Sequence, residues 1–146
     1  MRRDYFTLGL RNVDDAADGQ PMVHVEYNGP SDAFETRLTS EAAVDVAFRF
    51  QTPVDDSAAS GVFSIADRMT GEFVLEVNAD ATEILTLIDA ARAYGEATND
   101  TTKEYSVRIE QDGERLFETD KRTLLVYDQD GSLLRQHSLI PSGVEL

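Results

Sequence analysis

The sequence predicts an α+β fold: a curved, mostly antiparallel sheet of about nine strands packed on one central amphipathic helix at about residues 80–97. Three observations lead there. Only one stretch, Asp80 to Ala97, keeps a helical period. Most of the remaining chain alternates apolar and polar residues with the period of half-buried strands. The alternating stretches are joined by short turns of glycine and aspartate, and Asp112-Gly113 is the strongest hairpin signal among them. Hairpin connections imply antiparallel pairing. The alternative architecture is a closed barrel plugged by the helix.

The elements follow in order. Tyr5–Val13 reads as a first strand, and Asp14–Pro21 as an acidic loop. Met22–Tyr27 alternates, with Met22, His24 and Glu26 on one side and Val23, Val25 and Tyr27 on the other. Ser31–Leu38 is expected to start a short helix after the turn at Asn28-Gly29-Pro30. Val44–Gln51 alternates cleanly, and Val62–Asp67 and Glu72–Val77 form a hairpin around Arg68-Met69-Thr70-Gly71.

In the helix, Ile84, Leu85, Leu87, Ile88, Ala91 and Tyr94 share one face, and Glu83, Thr86, Asp89 and Glu96 the other. Asp80 or Thr82 can cap its start, and Gly95 and Asn99-Asp100 mark its stop. The last third reads as a meander: Glu104–Gln111, Glu114–Thr119, Arg122–Tyr127 and Leu133–Ile140, ended by Pro141. The 146 residues are expected to form a single domain, 1–146.

Charge is the dominant compositional feature. Twenty-eight acids face thirteen bases, for a net charge of −15. The acids are spread, with 12 acids and 6 bases in residues 1–70 against 16 and 7 in residues 71–146. Only Lys103 and Lys121 are lysines. Self-repulsion at such a charge weakens a small domain in dilute buffer. In molar salt the Debye length falls to roughly 3 Å and the repulsion is largely screened. The composition therefore suits concentrated salt. It argues against nucleic acid, because phosphate binding needs a basic stripe. No apolar run approaches the length of a membrane span. The N-terminal Met1-Arg2-Arg3-Asp4-Tyr5 has no apolar stretch behind it, and cysteine is absent. A cytoplasmic location without a membrane partner is the expectation.

No motif carries chemistry. Asp128-x-Asp130-Gly131 opens like a calcium loop, but its twelfth position is Leu139 where a glutamate is needed, so it reads as a turn. His24 and His137 are the only histidines, and neither has a partner at a recognisable spacing. No cofactor or metal site is predicted. From Gly131 to Leu146 only Arg135 and Glu145 carry full charges, while Leu139, Ile140, Val144 and Leu146 are apolar. A free tail in so acidic a chain should be polar. This one is expected to dock, either on its own body or on a second copy or protein partner, with strand addition at a sheet edge as the natural mode.

Met-Arg-Arg-Asp-Tyr-Phe-Thr-Leu at 1–8, Arg-Thr-Leu-Leu-Val-Tyr-Asp at 122–128 and Arg-Gln-His-Ser-Leu-Ile-Pro-Ser-Gly-Val-Glu-Leu at 135–146 together resemble a family of small haloarchaeal proteins of unknown function. The resemblance runs the full length. It implies a high-salt setting and carries across no activity, cofactor or catalytic residue.

The reading that follows is a non-catalytic binding or interaction domain adapted to high salt. The alternative is an enzyme or small-ligand carrier with a site assembled from distant residues. Its first suspects are Tyr5, His24, Arg49, Arg92 and His137.

Overall fold

The computed structural model describes residues 6–11, 20–29, 44–68, 71, 73–98 and 105–140. These form β1 (Phe6–Arg11), β2 (Met22–Tyr27), β3 (Val44–Phe50), β4 (Ser60–Asp67), β5 (Phe73–Asp80), α1 (Ala81–Thr98), β6 (Tyr105–Gln111), β7 (Glu114–Lys121) and β8 (Leu125–Tyr127). The α+β class stands. The expected Ser31–Leu38 helix lies outside the described residues.

The strands make two open four-stranded sheets, ordered β1-β2-β6-β7 and β5-β4-β3-β8. We call them sheet A and sheet B. Their edge strands β1 and β5 run beside each other. Neither sheet closes into the alternative barrel. The pairing is mostly antiparallel, as expected, and parallel at two places that the hairpin signals do not reach: β2 pairs parallel with β6, and β3 parallel with β8. Parallel neighbours need a long crossover, so local turn signals are silent about them. The remaining pairings are antiparallel.

Among the described residues eight strands stand where the sequence suggests nine. The stretch Leu133–Ile140 forms no strand and makes only isolated bridges, Tyr127 to Leu133 and Leu124 to Leu139. Between them the chain turns on itself. The His137 amide donates to the Leu134 carbonyl, and so does the Ser138 hydroxyl. The same hydroxyl oxygen accepts from the Val126 amide. These bonds draw the backbone away from a continuous ladder.

The alternation of the sequence sets which face is buried. Val23, Val25 and Tyr27 of β2, Val44, Val46, Phe48 and Phe50 of β3, and Val107 and Ile109 of β6 all point inward. They join α1 residues Ile84, Leu87, Ile88 and Ala91 in a single apolar cluster shared by both sheets. On the helix, Thr86, Asp89 and Glu96 are exposed, as the period requires. Burying one of the large α1 side chains contributes about 1.5–3 kcal/mol.

The helix boundaries shift slightly. β5 runs through Asn78 and Ala79 straight into α1, and the Ala81 amide donates to the Ala59 carbonyl as if extending the ladder. Gly95 is buried inside α1, which continues to Thr98 instead of stopping there. Asp112 and Gly113 both have positive φ, 52° and 82°. That is the primed turn which fits the twist between β6 and β7. No helix among the described residues is long and apolar enough to cross a membrane.

Candidate functional site

The outer face of sheet A carries a polar constellation of a histidine, two arginines and three glutamates. Register builds it. His24 on β2 stands between Gly9 on β1 and Arg108 on β6. Arg108 in turn faces Glu118 on β7, and Glu26 faces Glu110 across the parallel β2–β6 pair. A bulge displaces the β6–β7 register at Ile109 and Glu110, so that Glu110 sits opposite Arg115. Bulges re-aim side chains in this way.

Three ligand-bearing groups meet here. One atom each from His24, Glu26 and Glu110 lies within 4.8 Å of the others, and all three side chains are partly buried. His24 Nε2 is 3.2 Å from Glu110 Oε2. The approach is off the line of a hydrogen bond, and Nε2 is sealed from solvent with no aligned partner. The other oxygen, Oε1, is 3.5 Å from Arg108. The imidazole beside it is the chief influence holding the Glu110 carboxyl below the ordinary glutamate range, with Arg108 adding to it against partial desolvation. Arg108 also donates to Glu118 at 2.9 Å, and this pairing raises its own pKa. Arg115 holds the second Glu118 oxygen at 2.9 Å.

A groove of about 600 Å³ opens along sheet B where the end of β7, from sheet A, reaches it. Ala47, Leu125 and Tyr127 line it together with Arg68, Lys121, Arg122, Asp45 and Asp120. Lys121 donates to the Val44 carbonyl at 2.6 Å, and Arg68 pairs with Asp45 at 2.9 Å. Desolvation, and then the nearby Arg68 charge, push the Lys121 pKa down.

The suspects from sequence separate. His24 enters the sheet A cluster. Arg49 on β3 donates to the Gln129 carbonyl at 3.0 Å. Arg92 on α1 donates to the Ser138 carbonyl at 2.7 Å, in the C-terminal turn that also carries His137. Tyr5, Val144 and Leu146 lie outside the described residues. Leu139 is buried in the chain's own core, and Ile140 is half-buried. The Asp128 carboxylate accepts the Asp130 and Ser132 amides, both at 2.9 Å, which is the work of a turn.

Glu110, Arg108 and Gly9 escaped the sequence reading. The alternation of β6 places Arg108 and Glu110 on one polar face, but nothing local says which strand lies beside it.

The family model described as Family of unknown function (DUF5793) matches residues 1–146. No curated protein and no solved structure matches the chain.

Proposed function

The chain belongs to the family of unknown function DUF5793, and from its geometry we propose a non-catalytic binding domain adapted to concentrated salt. The groove on sheet B is the observation that carries this reading. In a chain of 28 acids and 13 bases, three bases and one of the two lysines among them gather around its half-apolar floor. Arg122 is exposed and has no acidic partner among the described residues. Such a surface suits an acidic segment of a partner protein that also carries an apolar side chain. Molar salt screens steering beyond a few ångströms, so recognition there rests on direct contact and on Ala47, Leu125 and Tyr127.

Affinity purification at native salt from the organism that carries the protein tests this, with wild type and Arg122→Glu run in parallel. An acidic partner retained by wild type and lost by the folded variant is the expected result. Identical retention by both would refute the groove. The salt adaptation has its own test. Thermal midpoints should climb from dilute buffer to multimolar KCl, and more steeply than sulfate exclusion alone explains. A flat profile would refute it.

The alternative, an enzyme or small-ligand carrier with a site built from distant residues, draws on one specific observation. It is the convergence of His24 and Glu110, which lie on strands far apart in the sequence.

A further inference from the structure

We propose that His24, Glu26 and Glu110 bind one divalent first-row transition ion, of the zinc or manganese kind, on the outer face of sheet A. The site shares no residue with the groove.

The donor set is the first argument. One imidazole and two carboxylates suit zinc, iron or manganese better than calcium or magnesium, which favour all-oxygen shells. Separation is the second. An ion held at roughly 2.0–2.2 Å by an imidazole nitrogen and a carboxylate oxygen sets those atoms roughly 3–3.5 Å apart. His24 Nε2 and Glu110 Oε2 stand 3.2 Å apart. The third argument is the state of the nitrogen. Nε2 is out of contact with solvent and has no aligned hydrogen-bond partner. A buried nitrogen in that condition is costly unless a proton or a cation sits between it and the carboxylate. An ion at this point would satisfy both.

The surroundings agree. Glu110 is split between two tasks: Oε2 faces His24, and Oε1 faces Arg108. Ligating carboxylates are commonly oriented by such an outer contact. Glu26 has no cationic partner among the described residues, although it stands beside Glu110 in the parallel register. Like charges placed directly opposite repel, and Arg108 and Arg115 are both drawn to Glu118. A divalent ion supplies the missing positive charge. Gly9, opposite His24, leaves the approach open: a Cβ there would meet nothing within 4 Å. Remaining coordination positions can take water from that side.

The test is a zinc nitrate titration of the full chain in molar potassium nitrate. The salt suppresses diffuse attraction to the acidic surface. Imidazole nitrogen resonances are followed by NMR, with His137 as the internal reference. The expected result is a His24 Nε2 shift that saturates at one equivalent while His137 stays still. Glu26→Gln should weaken binding by roughly a factor of ten or more. Its thermal midpoint without metal should match wild type, and zinc should raise the midpoint of wild type alone. An unmoved His24 at excess zinc overturns the proposal. So does non-saturating movement of both histidines together, which is adventitious surface binding, or equal affinity in folded Glu26→Gln.

Discussion

Sheets A and B are put together by the same device and expose different chemistry. Each contains a single parallel pair that joins strands distant in sequence, β2 with β6 and β3 with β8. Inside, the two are alike, and their apolar residues merge into one cluster around α1. Outside they diverge. Sheet A aligns His24 with Arg108 and Glu26 with Glu110. Sheet B aligns Ala47 with Leu125 and Arg49 with Tyr127. Parallel pairing sets equivalent residues side by side on one face, so the outer surface depends on which polar positions the register matches. The inner face is tolerant, because any apolar neighbour serves. The outer face is not, and there the register decides between a charged cluster and a half-apolar groove.

The shared interior is the easiest part of this comparison to break. Ile88 is 1% exposed and belongs to the cluster that both sheets use. Ile88→Ala should cost about 2–5 kcal/mol in denaturant titration. Fluorescence and circular dichroism should report one coincident transition, because no sheet has a core of its own. Thr86→Ala, on the exposed side of α1, should stay within about ±0.5 kcal/mol. Equal costs would mean that the helix face is misassigned.

Sheet B depends on a polar link made by a buried serine. The Ser138 hydroxyl ties the Val126 amide of β8 to the Leu134 carbonyl, and its residue is 1% exposed. Ser138→Ala leaves the Val126 amide without that acceptor and should cost about 1–3 kcal/mol. Amide exchange should quicken at Val126 and stay unchanged along β2. Uniform quickening in both sheets would blur the distinction.

A smaller effect with the opposite sign is expected on sheet A. Glu26→Gln removes one of two neighbouring carboxylates and should stabilise the metal-free protein by roughly 0.2–1 kcal/mol in dilute buffer. The gain should vanish in molar salt. A loss of stability in dilute buffer would show that Glu26 has an attractive partner.

The smallest effect is read at a single carboxyl. Glu110 should titrate below its reference value of 4.5. The folded pKa is lowered, so the contribution of Glu110 is complete above the unfolded value and fades as pH falls through the folded one. In His24→Gln the midpoint should move up toward 4.5, because the imidazole is its chief cause. No movement would assign the effect to Arg108.

Much of this was legible in the residues. The inward faces of β2, β3 and β6 follow from alternation, and the buried stripe of α1 from its period. The turn at Asp112-Gly113 follows from the backbone freedom of its residues. His24 and Glu26 were visible as neighbours on one strand face. Their partners were not, because Glu110 lies far along the chain and reaches them only through a parallel pairing. The C-terminal stretch shows a milder version of the same limit. Its apolar residues announce docking, yet Ser138 chose a turn with Leu134 over a ladder because its hydroxyl found two backbone partners.

The sequence by itself determined the strongly acidic composition, the helix α1 and the sorting of the described strands into inner and outer faces. Those properties rest on composition and on periodicities that act over a few residues. Only the tertiary structure decided that β6 lies beside β2 and β8 beside β3. A crossover can end beside several strands with equally apolar inner faces, and the choice among them belongs to the packing of the whole core. That choice placed Glu110 next to His24 and Glu26, and Leu125 next to Ala47.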